Sequence, residues 1–327
     1  MQMSLYPWFQ QIWQQWCQAL AHNSVSPATL LVVKEGMGEA TFIEAAARSL
    51  LCAHGSELCG YCHSCQLMDS QSHPDFHWVK PEQEGKSITV DVVRQINQLA
   101  QESSQFGGYR VIVIQPAHLM NESAANALLK TLEEPPSHCC FMLVTDCIDR
   151  VLPTILSRCR QLHVSEPAHT VVAEWLAKET GQDIAPYMIK LNDYAPIRAL
   201  HFIQSQEHEN YLRLVELFCH FLHSPLQFIH VLVDEIQSSP LVRLTWLWYL
   251  LTDAQKFHFQ TQDKIVLPKS EEVAQCLSYS MLYQQYRELI TLLHRLEMHR
   301  GLNSELLVFD WLSKFKGAPC LSTPTVI

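Results

Sequence analysis

The pattern of apolar and polar residues along the chain changes near residue 167. Before that point, short apolar runs rich in β-branched residues alternate with stretches whose apolar residues recur every three or four positions. Such alternation is typical of buried parallel strands that are connected by helices. The clearest unit has a strand over 111–114, a helix between Asn121 and Pro135, and a strand over 140–144.

Signals at both ends support the helix of this unit. Asn121 or Ser123 can cap its beginning, and Pro135 and Pro136 prevent it from continuing. Its apolar residues lie on one side, as expected of a helix that covers a sheet. The other elements predicted before residue 167 are helices over 5–21 and 39–51, strands over 29–33 and near 73–79, and a strand end followed by a helix over 88–105.

From residue 167 onward the apolar pattern is helical. Three short helices are predicted over 171–179, 184–191 and 196–204. Five more are predicted over 211–222, 226–236, 241–259, 271–300 and 304–315. We therefore expect an α/β core over 1–165, with a mostly parallel sheet and flanking helices, followed by a small all-α domain over 166–206 and a larger all-α domain over 207–327.

The composition narrows the choice of compartment and partners. The 327 residues are 48% apolar, but no apolar run approaches the roughly 20 residues of a membrane span. Residues 1–10 do not resemble a signal peptide, so we expect a cytoplasmic protein without a membrane partner. The formal net charge is -10, and an acidic chain without a long basic run is poorly suited to hold DNA by itself. Other proteins are the expected partners.

Twelve cysteines in a chain without a secretion signal favour reduced thiols or metal ligands over disulfides. Four of them are closely spaced: Cys52, Cys59, Cys62 and Cys65. Four thiolates satisfy tetrahedral zinc, and a site closed by four sulfur atoms has no position for a substrate. We therefore predict a structural zinc module over about 52–65, in which His54 or His63 is an alternative to one of the cysteines.

The loop after the strand over 29–33 has the shape of a phosphate-binding loop without its chemistry. Gly36 and Gly38 lie between a strand and a helix, which is the setting of such a loop. A working loop then requires a lysine for the phosphates and a serine or threonine for Mg²⁺. Glu39 and Ala40 occupy those positions. Because a carboxylate repels phosphate and alanine has no oxygen for the metal, we expect no functional ATP site here.

The longest contiguous motif lies in the helix of the clearest unit. The run 124–136, AANALLKTLEEPP, together with the SRC motif at 157–159, resembles the clamp-loader subunits of bacterial DNA polymerase III, a branch of the AAA+ family. The resemblance implies an AAA+-like core, a small helical lid and a helical collar. In this family, acidic residues that hold Mg²⁺ follow the strand before the helix, whereas Gln115 and Pro116 stand here. This departure implies a member that does not hydrolyse ATP.

The same resemblance implies a role for Arg158. In this family the arginine of the SRC motif reaches the ATP site of an adjacent subunit and stabilises charge on the γ-phosphate, so we expect an arginine finger in trans. The alternative is an arginine that forms a local salt bridge or lies on the surface at the end of a helix. The nucleotide-sensing arginine of the lid aligns with Ile197, so its role is not carried over to the neighbouring Arg198.

The partners that the resemblance implies are the ATP-hydrolysing tau/gamma subunits and the delta subunit, in a hetero-pentameric ring. The sliding clamp and primed DNA are implied as indirect partners. Such a chain takes part in DNA replication within the polymerase holoenzyme, a nucleotidyltransferase complex, without performing nucleotidyl transfer itself.

Two other function classes are alternatives. The first is an active AAA+ clamp-loader ATPase, and the residues at positions 39, 40, 115 and 116 argue against it. The second is a zinc-containing nucleic-acid-binding protein, and the acidic net charge and the closed metal site argue against that function.

Overall fold

The computed structural model describes residues 5–54, 59–83, 86–259, 267–299 and 301–315. The chain divides into two compact units with a boundary between Val171 and Val172. The first unit contains all five strands of the described chain, and the second is helical. This arrangement confirms the predicted fold class, an α/β core followed by an all-α part. The further division of the helical part near residue 206 stays a prediction.

A five-stranded sheet forms the centre of the first unit. Its strands are β1 (Ala28–Val32), β2 (Phe76–Val79), β3 (Arg110–Ile114), β4 (Cys139–Thr145) and β5 (Arg160–His163). Their spatial order is β2-β3-β4-β1-β5, and every neighbouring pair is parallel. Because all strands run in one direction, the loops that follow them meet at one edge of the sheet and the segments that precede them at the other.

Helices cover both faces of this sheet. After a 3₁₀ turn at Pro7–Phe9, the helices of the first unit are α1 (Gln10–Ala21), α2 (Glu39–Leu51), α3 (His63–Asp69), α4 (Val90–Gln101), α5 (Glu122–Glu133), α6 (Pro153–Leu156) and the beginning of α7 (His169–Thr180). Val111 and Val113 of β3 pack with α1, α2 and α3, whereas Ile112 and Ile114 pack with α4, α5 and α6. Alternate residues of β3 thus serve two cores, which explains why its residues 111–114 are apolar at every position.

The second unit contains the remainder of α7 and eight further helices in its described residues, packed around one apolar core. These are α8 (Pro186–Leu191), α9 (Pro196–Gln204), α10 (Glu207–His223), α11 (Pro225–Gln237), α12 (Pro240–His258), α13 (Ser270–Cys276), α14 (Tyr279–Met298) and α15 (Ser304–Ser313). No helix in the described ranges is both long and apolar enough to cross a membrane.

Two helix predictions differ from the structure. The segment 5–21 is not one helix, because a 3₁₀ turn at Pro7–Phe9 precedes α1. The segment 271–300 forms two helices, α13 and α14, and Arg300 lies outside the described residues. The break has a local cause, because Leu277 is extended and the Ser278 hydroxyl accepts a hydrogen bond from the amide of Met281, which caps α14.

Candidate functional site

The loop between β1 and α2 keeps the backbone shape of a phosphate-binding loop. Gly36 and Gly38 have φ angles of 83° and 81°, in the left-handed region that favours glycine, and Gly38 is the N-cap of α2. Between them Met37 is buried, and its carbonyl accepts a hydrogen bond of 2.7 Å from the Trp8 indole. The loop is therefore held in place by protein contacts of its own.

Side chains beside this loop are also hydrogen-bonded to one another. Glu39 is the first residue of α2, and its Oε1 accepts a hydrogen bond of 3.1 Å from Nε2 of Gln115, the residue after β3. Oε1 of Gln115 in turn accepts a bond of 3.1 Å from the Trp78 indole. A carboxylate in the first turn of a helix interacts favourably with the helix dipole, so Glu39 supplies the negative charge that a phosphate would bring.

A cavity of about 260 Å³ lies at the same edge of the sheet. The carboxylates of Glu35, Glu39 and Asp146 are in its lining, and no lysine or arginine is among the described lining residues. His118 also lines it, with Nδ1 at 3.1 Å from Oδ1 of Asp146. Three carboxylates in one lining would repel a nucleotide phosphate at close range.

The two residues nearest in type to the missing ligands have other partners. Lys34 Nζ lies 3.0 Å from Oε1 of Glu166 in an ion pair. The hydroxyl of Thr41, one position later than a Mg²⁺ ligand would stand, donates a hydrogen bond of 2.6 Å to the carbonyl of Gly38. Ala40 lies between Glu39 and Thr41 and has no side-chain oxygen. The arrangement thus offers neither a lysine for phosphate nor an oxygen for Mg²⁺ at the expected places.

Arg158 lies at the opposite edge of the sheet. It precedes β5, and β5 pairs with β1 so that Arg160 stands beside Thr29, near the beginning of β1. The glycine loop follows the end of β1, and a strand of five residues spans about 16 Å. Arg158 therefore lies at the edge remote from the glycine loop of its own chain.

The guanidinium of Arg158 is bound within its own chain. Its Nε donates a hydrogen bond of 2.8 Å to Oε1 of Glu133, and its Nη2 donates to the same oxygen. Its Nη1 donates to the carbonyl of Thr154 at 2.9 Å and to the hydroxyl of Ser157 at 3.3 Å. The salt bridge that the sequence left as an alternative is present, and the side chain remains 31% exposed.

The four predicted zinc ligands come together where α2 ends and α3 begins. Their sulfur atoms all lie within 4.8 Å of one another: Cys52, Cys59, Cys62 and Cys65. The individual distances include 3.5 Å for Cys52–Cys59, 3.9 Å for Cys52–Cys62 and 3.8 Å for Cys59–Cys65. Sulfur atoms that are each about 2.3 Å from a tetrahedral zinc ion are about 3.8 Å apart, so this donor set fits the ion.

The backbone around the cluster favours the thiolate at one of these cysteines. Desolvation raises the pKa of Cys59, but hydrogen bonds from the backbone N–H groups of Tyr61 and Cys62, together with those from the Cys52 and Cys62 side chains, outweigh it, and the pKa falls to about 6. The amide of Cys62 lies 3.4 Å from Sγ of Cys59. Tight turns that direct amides toward sulfur are a feature of cysteine metal sites, because they stabilise the ligand charge.

The two histidines near the cluster have aromatic neighbours. His54 packs against Tyr61 with ring centroids 5.2 Å apart, and His63 packs against Phe106 at 5.5 Å. Neither belongs to the group of residues that could hold an ion within the described parts of the chain.

Among the cysteines outside the cluster, Cys140 is fully buried, and desolvation raises its pKa to about 12. Cys320 lies outside the described residues.

The sequence did not indicate several contacts at these sites. Residues 39 and 115 are both predicted site positions, but nothing in the sequence pairs them, and the contributions of Trp78 and His118 were missed. Glu133 was likewise not connected with Arg158, which is 25 positions away. The only available signal was the position of Glu133 in the AANALLKTLEEPP run. Arg198, to which the sequence assigned no role, is exposed on α9 in the second unit.

Comparisons with known proteins cover almost the whole chain. Residues 8–168 match the family model described as "DNA polymerase III, delta subunit", and residues 204–317 match "DNA polymerase III, delta subunit, C terminal". The chain is 32% identical to the DNA polymerase III subunit delta' of Escherichia coli (strain K12), over 96% of this chain and 96% of that protein. It is 31% identical to the delta' subunit of Haemophilus influenzae, over 94% and 92% of the two chains.

A solved structure is also similar at low identity. A DNA polymerase III gamma subunit-related protein from Thermotoga maritima has 19% identity and a TM-score of 0.44, over 93% of this chain and 99% of that chain.

Proposed function

The chain belongs to the DNA polymerase III delta' family, and from this premise we propose that it is a clamp-loader subunit that hydrolyses no ATP and supplies Arg158 to the ATP site of a neighbouring subunit. The observation that carries the proposal is the placement of Arg158 at the edge of the sheet remote from its own glycine loop. At that edge the length of β1 separates Arg158 from its own glycine loop, which favours a role at a site on another chain.

The glycine loop supports the first half of the proposal. Glu39 stands at the position of the phosphate-binding lysine, and Gln115 fixes its carboxylate by a hydrogen bond. The acidic lining of the adjacent cavity acts in the same direction, because added phosphate charge would be repelled. Hydrolysis also requires a Mg²⁺ ligand and a group that orients water, and neither Ala40 nor Pro116 offers one.

The partly exposed side chain of Arg158 supports the second half of the proposal. Arginine remains charged and presents several N–H groups in a planar fork that matches phosphate oxygens. An arginine supplied across an interface stabilises the charge of the transferred phosphoryl group in the transition state. The side chain of Arg158 is 31% exposed, so a neighbouring chain can approach it.

The partners and the domain roles belong to the same proposal. The chain would join ATP-hydrolysing tau/gamma subunits and the delta subunit in a ring of five, which loads the sliding clamp on primed DNA. Residues 1–165 would form the core, 166–206 the lid and 207–327 the collar. Cys52, Cys59, Cys62 and Cys65 would hold a structural zinc ion that joins the end of α2 to α3, a role for which their geometry is suited.

The test is the ATPase rate of the reconstituted ring, with clamp and primed DNA present, for the original chain and for Arg158→Ala. We expect the site that Arg158 serves to lose about a thousandfold or more of its turnover. The whole ring should therefore lose at least the contribution of that site. Arg160→Ala is the matched control, because Arg160 is an exposed arginine two positions later with no ion pair in the described structure.

Assembly must be measured beside activity. Size-exclusion chromatography with light scattering should show the same ring for all three chains, because Arg158 is a surface residue of the first unit. Unchanged turnover by an intact Arg158→Ala ring would contradict the proposed finger. Mg²⁺-dependent ATP hydrolysis by the isolated chain, abolished by Lys34→Ala or Thr41→Ala, would contradict the other half of the proposal.

A further inference from the structure

The ion pair between Arg158 and Glu133 limits what the arginine can bind. Glu133 is the last residue of α5, and its Oε1 accepts from both Nε and Nη2 of Arg158. The other terminal nitrogen, Nη1, donates to Thr154 and Ser157. The three nitrogens of the guanidinium thus all have partners in the same chain.

Counting donors shows the consequence for phosphate. A guanidinium has five N–H groups, and the contacts to Glu133, Thr154 and Ser157 use four of them. Only one N–H, on Nη2, remains. A bidentate contact with phosphate requires two parallel N–H groups. Arg158 therefore cannot bind a phosphate through a fork until at least one of its present contacts is released.

The charge of Glu133 has a second effect. A finger acts through its net positive charge on a developing negative charge, and a carboxylate in direct contact with the guanidinium cancels much of that charge at a distance. Thr154 contributes only a neutral carbonyl and Ser157 a hydroxyl. Glu133 is consequently the partner whose release most increases the charge that Arg158 presents to a neighbour.

The pair is also weak enough to be exchanged. The Arg158 side chain is 31% exposed and that of Glu133 is 48% exposed. Water screens such a pair, and exposed ion pairs contribute little to stability. A nucleotide phosphate in a closed, water-poor interface carries more negative charge than one carboxylate, and it can therefore displace Glu133.

We propose that Glu133 is a positioning residue that holds Arg158 back in the unengaged subunit and releases it when the phosphate of the neighbouring site takes its place. This inference rests on the proposed function of Arg158 as a finger in trans. Its consequence is that Glu133 lowers ATP turnover in the resting ring, so that hydrolysis depends more strongly on the engagement of clamp and DNA.

The test uses the reconstituted ring with Glu133→Gln, which keeps the size and an oxygen acceptor but removes the charge. The quantity measured is the Arg158-dependent turnover, defined as the rate minus that of the ring with Arg158→Ala. Without clamp and DNA we expect it to increase about 1.4- to 5-fold, the factor that corresponds to loss of an exposed ion pair. With clamp and DNA it should change less, so the stimulation ratio decreases.

Glu134→Gln is the matched control, because Glu134 is the next residue, is exposed, and has no ion pair in the described structure. It should leave both rates unchanged. The double variant Glu133→Gln/Arg158→Ala should equal Arg158→Ala alone, a result that a general structural effect of Glu133 would not give. Circular dichroism and light scattering establish that each variant folds and assembles.

The outcomes separate this inference from the proposed function. If Arg158→Ala changes nothing, the proposed finger fails and the role of Glu133 fails with it. If Arg158→Ala lowers turnover but Glu133→Gln leaves the resting rate unchanged or lowers it, only the restraint by Glu133 is overturned. An equal increase in the Glu133→Gln and the double variants would also overturn it, because the effect would not pass through Arg158.

Discussion

Single side chains distinguish the loop after β1 from a loop that binds phosphate. Its glycines give the backbone the required shape, and α2 presents its N-terminus as such a helix does. Glu39 places a negative charge at the point where the dipole of α2 favours an anion, and Gln115 holds it there. The helix is thereby stabilised by the chain itself, which removes its need for a bound phosphate.

The cap of α5 offers a test at the level of one side chain. Oδ1 of Asn121 accepts a hydrogen bond of 2.8 Å from the amide of Ala124, so Asn121 rather than Ser123 is the N-cap. Asn121→Ala leaves that amide without its partner, and we expect the free energy of unfolding to decrease by about 1 kcal/mol. Urea denaturation followed by circular dichroism measures the change.

Ser123→Ala is the control for this variant. The hydroxyl of Ser123 makes no hydrogen bond among the described residues, so the stability should change by less than about 0.5 kcal/mol. A larger loss for Ser123→Ala than for Asn121→Ala would contradict the assignment of the cap. The sequence allowed both residues, because each is a good cap and they differ only in where α5 begins.

The sequence shows which residue types occupy the positions of the nucleotide ligands, but it does not show which side chains contact each other. The absence of lysine after Gly38 and of acidic residues after β3 follows from the sequence. That Glu39 and Gln115 would contact each other, 76 positions apart, depends on how β1 and β3 lie in the sheet. Long-range pairs of this kind leave no periodic pattern, so the contact between Arg158 and Glu133 was equally hidden.

Strands and helices could be predicted from the sequence wherever the burial of their residues is uniform. Apart from Arg110 at the beginning of β3 and Thr145 at the end of β4, these two strands are apolar because both of their faces are covered, and this leaves a clear signal in the sequence. The break between α13 and α14 leaves a weaker signal in the sequence. Apolar residues continue with helical spacing on both sides of it, and Ser278 is as compatible with a helix surface as with a cap.

The zinc module is the element whose fold depends most on a ligand. Its described residues, 52–54 and 59–65, offer few apolar side chains of their own, so a metal ion would supply the energy that holds the segment. Arg48 and Asp69 form an ion pair of 2.7 Å between α2 and α3 on either side of it. Loss of zinc should therefore loosen the module and α3 while the sheet stays folded.

We expect the purified chain to contain about one zinc ion, and Cys62→Ser to lose most of it, because three remaining thiolates bind the ion less well. Elemental analysis measures the content. Hydrogen exchange should show that chelation removes protection from α3 and leaves that of β3 and β4 unchanged. Cys17→Ser, which alters a half-buried cysteine of α1 outside the cluster, should retain the ion. Equal zinc contents in the two variants would argue against this site.

The second unit is joined by contacts between segments that the sequence assigned to different domains. Helices on both sides of residue 206 share one apolar core. Within it, Nζ of Lys190 lies 2.7 Å and 2.8 Å from the two carboxylate oxygens of Asp253, which also accepts a hydrogen bond of 3.0 Å from the amide of Leu267. Both charged side chains are nearly fully buried. This pair connects α8 to α12 across the predicted boundary between lid and collar.

Removal of one partner should therefore destabilise the whole helical unit. Lys190→Met leaves the carboxylate of Asp253 buried with Lys256, at 3.4 Å, as its remaining described cation. Breaking a buried pair in this way costs about 3 kcal/mol, and the retained contact to Lys256 should keep the loss at or below that figure. Urea denaturation followed by tryptophan fluorescence should show an earlier transition for this unit.

Two further variants determine whether the loss comes from the buried charge. Lys178→Met removes an exposed lysine of α7 in the same unit and should change the stability by less than about 0.5 kcal/mol. Lys190→Met combined with Asp253→Leu removes both charges, so no charge is left buried alone, and it should recover part of the stability that Lys190→Met loses. If the double variant were less stable than Lys190→Met by the full cost of a second substitution, the two residues would act independently. The pair would then not be what joins α8 to α12.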